Sequence, residues 1–136
     1  MKWEDSGGCK PVGIGIDILS RKRADAFLER HRNRILERLL TVQEKERYLA
    51  SGRKMSPLLF TKLFAAKEAY FKACGGDWMG IEGFGKIDIA VTRSDAFTAD
   101  SDIIQPPVPG VSAGAFITHP QYVIAEVVIW QAEGAA

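Results

Sequence analysis

The sequence predicts an α+β domain with helices packed on a mainly antiparallel sheet. One short strand-patterned run opens it, three helix-patterned segments follow, and a cluster of strand-patterned runs closes it. Neither an internal repeat nor a low-complexity tract interrupts that order.

Residues 12–19 set β-branched and apolar side chains between Gly13, Gly15 and Asp17, the pattern of a short buried strand. A helix is expected over residues 20–40, where Ala24, Phe27, Leu28, His31, Ile35 and Leu39 recur at helical spacing. Thr41 is placed to cap a second, more charged helix running to Ala50, and Ser51-Gly52 to stop it. Ser56 followed by Pro57 opens the third helix, and Gly75-Gly76 ends it. Residues 86–92 alternate as a strand with Ile87, Ile89 and Val91 on one face. Residues 93–109 carry no clear pattern, and the run from Pro106 to Gly110 reads as a loop. Residues 111–118 and 122–130 are the last two strands, separated by a His119-Pro120-Gln121 turn. One domain is expected over residues 12–132, with a flexible extension at 1–11 and a tail at 133–136.

The chain has 136 residues, 46% of them hydrophobic and 26% charged, enough for a single real core. A net charge of +1 argues against a nucleic-acid partner. Basic residues are nevertheless concentrated at Arg21, Lys22, Arg23, Arg30, Arg32, Arg34 and Arg38, a local patch on a near-neutral body. Cys9 and Cys74 form neither a disulfide framework nor a zinc spacing, so a reduced, cytoplasmic setting is the default expectation. Residues 1–11 lack the apolar core of a signal peptide, and no run approaches membrane-spanning length.

The chemistry concentrates in the third helix. Glu68 lies in a segment too apolar to leave it a broad polar face, and Lys72 follows four residues later on the same side. A carboxylate in such surroundings costs several kcal/mol unless it is paired or binds a metal. A structural Glu68–Lys72 pair is one reading. Another joins Glu68 to Asp17, which could otherwise cap the helix after its strand, around one divalent cation. Two carboxylates without Cys or His would suit Mg²⁺, a hard ion completed by waters and substrate phosphates. Lys67 and Lys72 would supply cations for those phosphates. Gly13 and Gly15 do not form a dinucleotide fingerprint, because the third glycine and a parallel βαβ unit are missing. They would instead let another backbone or a ligand approach closely. His119 is either a surface turn residue or a donor to a phosphate or ribose, and His31 reads as a packed helix residue.

Three blocks occur in order: Gly13-Ile14-Gly15-Ile16-Asp17-Ile18, Phe64-Ala65-Ala66-Lys67-Glu68-Ala69-Tyr70-Phe71-Lys72-Ala73, and Ile117-Thr118-His119. Together they resemble the holo-acyl-carrier-protein synthase group of the 4′-phosphopantetheinyl transferases, over most of the chain from Val12 to Trp130. The resemblance implies a 4′-phosphopantetheinyl transferase-like fold and transfer of phosphopantetheine from coenzyme A to a serine of an acyl or peptidyl carrier. It implies that Asp17 and Glu68 hold Mg²⁺, with Lys72 beside the same phosphates. It places Phe64, Lys67, Thr118 and His119 at the coenzyme A site, and Arg23 and Arg30 at the carrier's acidic helix. Glu68 is the nearest candidate in sequence to accept the serine proton. A homotrimer with sites between subunits is implied as well. A non-catalytic module that only docks carriers is the alternative. Leu63, Phe71, Gly75-Gly76-Asp77, Phe116 and Pro120 depart from the family's pattern.

Overall fold

In the computed structural model, which describes residues 10–76 and 81–131, alternating side chains build a sheet with two different faces. Along β1 (Lys10–Ser20), Gly13, Gly15, Asp17 and Leu19 face the helices, while Ile14, Ile16 and Ile18 stand 50–61% exposed on the opposite face. β5 (Tyr122–Gln131) buries Val123, Ala125, Val127 and Ile129 against the helices. With β2 (Asp88–Arg93), β3 (Ala96–Asp100) and β4 (Val111–Thr118), these form one five-stranded sheet in the order β1-β5-β4-β3-β2. All neighbouring strands run antiparallel, as the sequence predicts.

The helices are set by their caps. Ser20 accepts from the Arg23 N–H and opens α1 (Arg21–Arg38), which loses helical geometry at His31. Thr41 and Glu44 form a reciprocal capping box at the start of α2 (Val42–Leu49), and a short 3₁₀ turn with Ser51 and Gly52 at positive φ follows. Ser56 caps α3 (Pro57–Ala73), and Gly75 at φ 90° ends it. α3 lies over β1 and β5 at the centre of the core, buried on nearly every side. α4 (Ile81–Phe84) is a single turn leading into β2.

Three expectations are corrected. β1 begins at Lys10, which pairs with Gln131 as Pro11 pairs with Trp130, so these two residues belong to the sheet rather than to an extension. The rest of the expected extension and tail, with Trp3, Cys9, Asp77 and Trp78, lies outside the described residues. The unpatterned stretch contains β3, joined to β2 by a Ser94-Asp95 turn that carries no glycine to announce it. Phe27 is 38% exposed and His31 half-buried, so both stand at the margin of a helix face whose Ala24, Leu28, Ile35 and Leu39 are buried. Among the described residues no helix is long and apolar enough to cross a membrane.

Candidate active site

Close backbone packing brings the chemistry-bearing residues together. A side chain at Gly13 would collide with the Ala73 carbonyl, and one at Gly15 with the Ala69 carbonyl. The glycines of β1 therefore let α3 settle directly onto the strand, with Ala69 and Ala73 as its contact surface. Asp17, two residues beyond Gly15 on the same face, comes up beside Lys72 on α3.

Lys72 Nζ donates to Asp17 Oδ1 at 3.2 Å and to the Ile16 carbonyl at 3.1 Å. Of the two readings, Lys72 pairs with Asp17 rather than with Glu68, and Asp17 does not cap α1, since Ser20 does. Glu68 is half-buried, and its proton affinity is raised first by burial and then by the Asp17 charge, with Lys72 opposing. Two carboxylates and an ammonium therefore share one electrostatic neighbourhood. Among the described residues no group of three or more His, Cys, Asp or Glu side chains gathers, which leaves the Asp17 and Glu68 carboxylates as the donors to weigh here. That donor set fits Mg²⁺, which takes one or two carboxylates and completes its shell with water and phosphate. Lys72 holds a positive charge beside Asp17.

Lys67 is a correction. It is 2% exposed and directed away from the site, donating to the Leu39 and Phe84 carbonyls and, at 2.6 Å, to Glu44 Oε1. With all three ammonium hydrogens used inside the protein, it has none for a substrate phosphate. Glu44, its fully buried partner, was not singled out in the sequence. The signals for it were the Thr41-x-x-Glu44 capping box and a lysine in an apolar helix that needs an anion.

Phe64 packs its ring 4.5 Å from that of Phe84 and 5.8 Å from Phe60. It lines a cleft of about 330 Å³ with Ile18, Ser20, Arg23, Phe27 and Phe60, beside the end of β1 that carries Asp17. Arg23 and Arg30 are exposed on the straight part of α1 before the His31 break. Thr118 ends β4 and His119 follows it, and Thr118 is level with Leu19 through Val123 of the intervening β5. Two strand spacings separate β4 from β1, so His119 stands about 10 Å or more from Asp17 within one chain. Its backbone N–H donates to Tyr122 O at 2.8 Å, and its Nδ1 accepts the Gln121 N–H at 3.1 Å. In the neutral ring the proton then sits on Nε2, leaving a donor free. Arg21 ties α1 to this turn by donating from its guanidinium to His119 O at 3.2 Å and from its backbone to Gln121 O at 2.9 Å.

Three of the departures from pattern, Leu63, Phe71 and Phe116, have packing reasons. Leu63 is 1% exposed in the core. Phe116 is buried against Phe97, ring centroids 4.4 Å apart, and a side chain at Gly114 would strike the Phe97 ring. Phe71 lies over Gly76, where a side chain would meet its ring.

Within an α+β fold, a buried helix thus carries an acid and a lysine against a carboxylate on an edge strand. Residues 13–125 match the model of the 4′-phosphopantetheinyl transferase superfamily, and the chain belongs to that superfamily. It is 44% identical over 63 residues to a holo-[acyl-carrier-protein] synthase of Geobacter metallireducens, a match covering 46% of this chain and 48% of that one. A Brucella ovis protein of the same name is 44% identical over 64 residues, covering 47% and 46%. These matches span about half the length of each curated relative. Among solved structures, a holo-(acyl-carrier-protein) synthase of Bacillus anthracis, in complex with CoA (3′,5′-ADP), is similar with a TM-score of 0.66 and 29% identity, covering 90% of this chain and 98% of that one. The Plasmodium yoelii holo-ACP-synthase shares the fold at a TM-score of 0.72 and 20% identity, covering 93% and 99%.

Proposed function

We propose that this protein transfers the 4′-phosphopantetheine group of coenzyme A to a serine of an acyl carrier protein, with Mg²⁺. The observation that carries the proposal is the Asp17–Lys72–Glu68 grouping, in a superfamily whose similar members are holo-acyl-carrier-protein synthases. Asp17 and Glu68 would hold the ion, which when bound supplies charge neutralisation for the diphosphate and its leaving group. Lys72 exchanges Asp17 for a phosphate oxygen and places a second positive charge where negative charge develops. Glu68, the carboxylate beside Lys72 on the same helix, takes up the serine hydroxyl proton. The serine oxygen bonds to the phosphorus that carries pantetheine, the bond from that phosphorus to the nucleotide's bridging oxygen breaks, and adenosine 3′,5′-bisphosphate leaves. His119 Nε2–H serves the nucleotide end, and the Phe64 cleft lies between that chemistry and the basic face of α1. Arg23 and Arg30 meet an acidic carrier helix, chiefly speeding encounter and selecting partners.

Assembly belongs to the same reading. The outer face of β1, β5 and β4 exposes Ile14, Ile16, Ile18, Val111, Ile117 and Tyr122 at 44–66%, a large contiguous apolar surface for one chain to leave in water. Burial of this face between copies of the chain, as a homotrimer, supports a site shared across subunits, in which one copy's His119 serves a neighbour's carboxylates.

The test is mass spectrometry of an apo carrier protein incubated with coenzyme A, Mg²⁺ and the purified chain. Gain of one phosphopantetheine is expected, with loss of the reaction on chelation or in Asp17→Ala. An unmodified carrier, or full activity in Asp17→Ala, refutes the assignment.

A further inference from the structure

The largest fully buried side chain among the described residues is Lys67, the immediate neighbour of Glu68. Its ammonium hydrogens all have partners, and Glu44 is equally engaged. Glu44 Oε1 accepts from Lys67 and, at 2.9 Å, from the Thr41 N–H, while Oε2 accepts the Ile89 N–H at 2.8 Å. Five segments converge on this ion pair: the C-cap of α1, the capped start of α2, α3, the end of α4 and β2.

Stability alone is a poor account of such a pair. Burial opposes both charges, and apolar residues of similar volume often stabilise a core as well or better. A fully hydrogen-bonded pair supplies direction instead. On its sheet side Ala69 and Ala73 rest directly on Gly13 and Gly15, a contact that sets how closely α3 approaches β1. Successive helix residues are about 100° apart, so anchoring Lys67 sets the azimuth of Glu68. A rotation of about 20° would swing a side-chain tip ~6 Å from the axis through ~2 Å. Functional groups must be held to within about 0.5 Å.

We infer that Glu44 and Lys67 are positioning residues: their buried ion pair fixes the rotation of α3 and so aims the Glu68 carboxylate at the cation position beside Asp17. The inference rests on the reading above that Asp17 and Glu68 hold a divalent cation.

The test uses the full chain carrying Glu44→Leu and Lys67→Met together, which removes both charges and roughly keeps the volume. Mn²⁺ binding in the presence of coenzyme A, followed by electron paramagnetic resonance, is expected to weaken at least tenfold. Turnover should fall by a comparable factor with the KM for carrier unchanged, since Arg23 and Arg30 are untouched. Each quantity is measured well below the variant's own melting transition, so that a loss of fold does not pass for a loss of aim. Glu44→Gln with Lys67→Met, which keeps a hydrogen-bonding group near Thr41 and Ile89, provides a second folded variant. Wild-type Mn²⁺ affinity and turnover in the doubly substituted chains overturn the inference. So does a loss of turnover with Mn²⁺ affinity intact, because the pair then acts elsewhere than through Glu68. If the wild-type chain itself binds no Mn²⁺, or Asp17→Ala binds it undiminished, the underlying site reading fails and the inference with it.

Discussion

Lys72 Nζ stands 3.2 Å from Asp17 Oδ1, joining α3 to β1 across 55 residues of chain. The contact is partly open to solvent, with side-chain exposures of 44% and 16%. Pairs of this kind contribute about 0–1 kcal/mol, so Lys72 can leave Asp17 at little cost when a phosphate offers a better partner. The pair thus serves exchange better than it serves stability.

Glu68 carries the first prediction. Burial, then the Asp17 charge, raises its pKa in the folded chain. The folded state therefore holds this proton to higher pH than the unfolded state, and stability falls as pH rises from the unfolded value through the folded one. Glu68→Gln removes that loss. In metal-free buffer the variant is expected to melt above the parent at pH 8, the gap closing below about pH 4, where the unfolded carboxylate is protonated too. Thermal melts across pH check this. A gap that widens on acidification would mean that Lys72 stabilises Glu68 as a carboxylate.

Gly15→Ala tests the close packing of α3 on β1. Its Cβ meets the Ala69 backbone, which cannot move without the helix. The expected cost is about 1–3 kcal/mol, read from denaturant midpoints, together with a loss of transfer because Glu68 and Lys72 retreat from Asp17. Unchanged stability and activity would show that the helix yields freely.

Arg23 and Arg30 are seven residues apart, two turns of helix, on one face of the straight part of α1. Reversing both to Glu should raise the KM for carrier at least tenfold while leaving coenzyme A affinity near that of the parent. The parent's rate should also fall with salt, since exposed charges are screened over about 10 Å at 0.1 M. Titration calorimetry with each ligand separates the two effects. Damage confined to coenzyme A binding would move the basic face to the nucleotide.

The outer sheet face supplies the last prediction. Ile16, 50% exposed, pairs across the sheet with Glu126, and Ile16→Asp places a second carboxylate amid the apolar patch. Light scattering is expected to report a trimer for the parent and a smaller species for the variant, with transfer lost if sites are shared. A parent chain that is monomeric and fully active would contradict shared sites.

Local signals were readable wherever the cause is local. Ser56 with Pro57, and Thr41 with Glu44, start their helices through hydrogen bonds and fixed φ angles spanning three or four residues. β3 was not readable, since the Ser94-Asp95 turn carries no glycine and the strand holds only one buried large side chain, Phe97. Phe116 gave no sign of its place either, because it packs on Phe97 of the neighbouring strand, whose ring in turn fills the space left by Gly114.

The candidate site divides along the same line. The order of motifs named Asp17, Glu68 and Lys72, since a carboxylate in an apolar helix demands a partner wherever the helix lies. Which partner each charge takes is decided only when helices and strands are packed. Lys67 and Lys72 are five positions apart on one helix, yet the rotation of α3 sends one to Glu44 in the core and the other to Asp17 at the surface. Helical spacing fixes the angle between two side chains on their own helix, whereas their surroundings depend on contacts dozens of residues away. The residue types belong to the sequence, and the division of labour between the two lysines belongs to the tertiary fold.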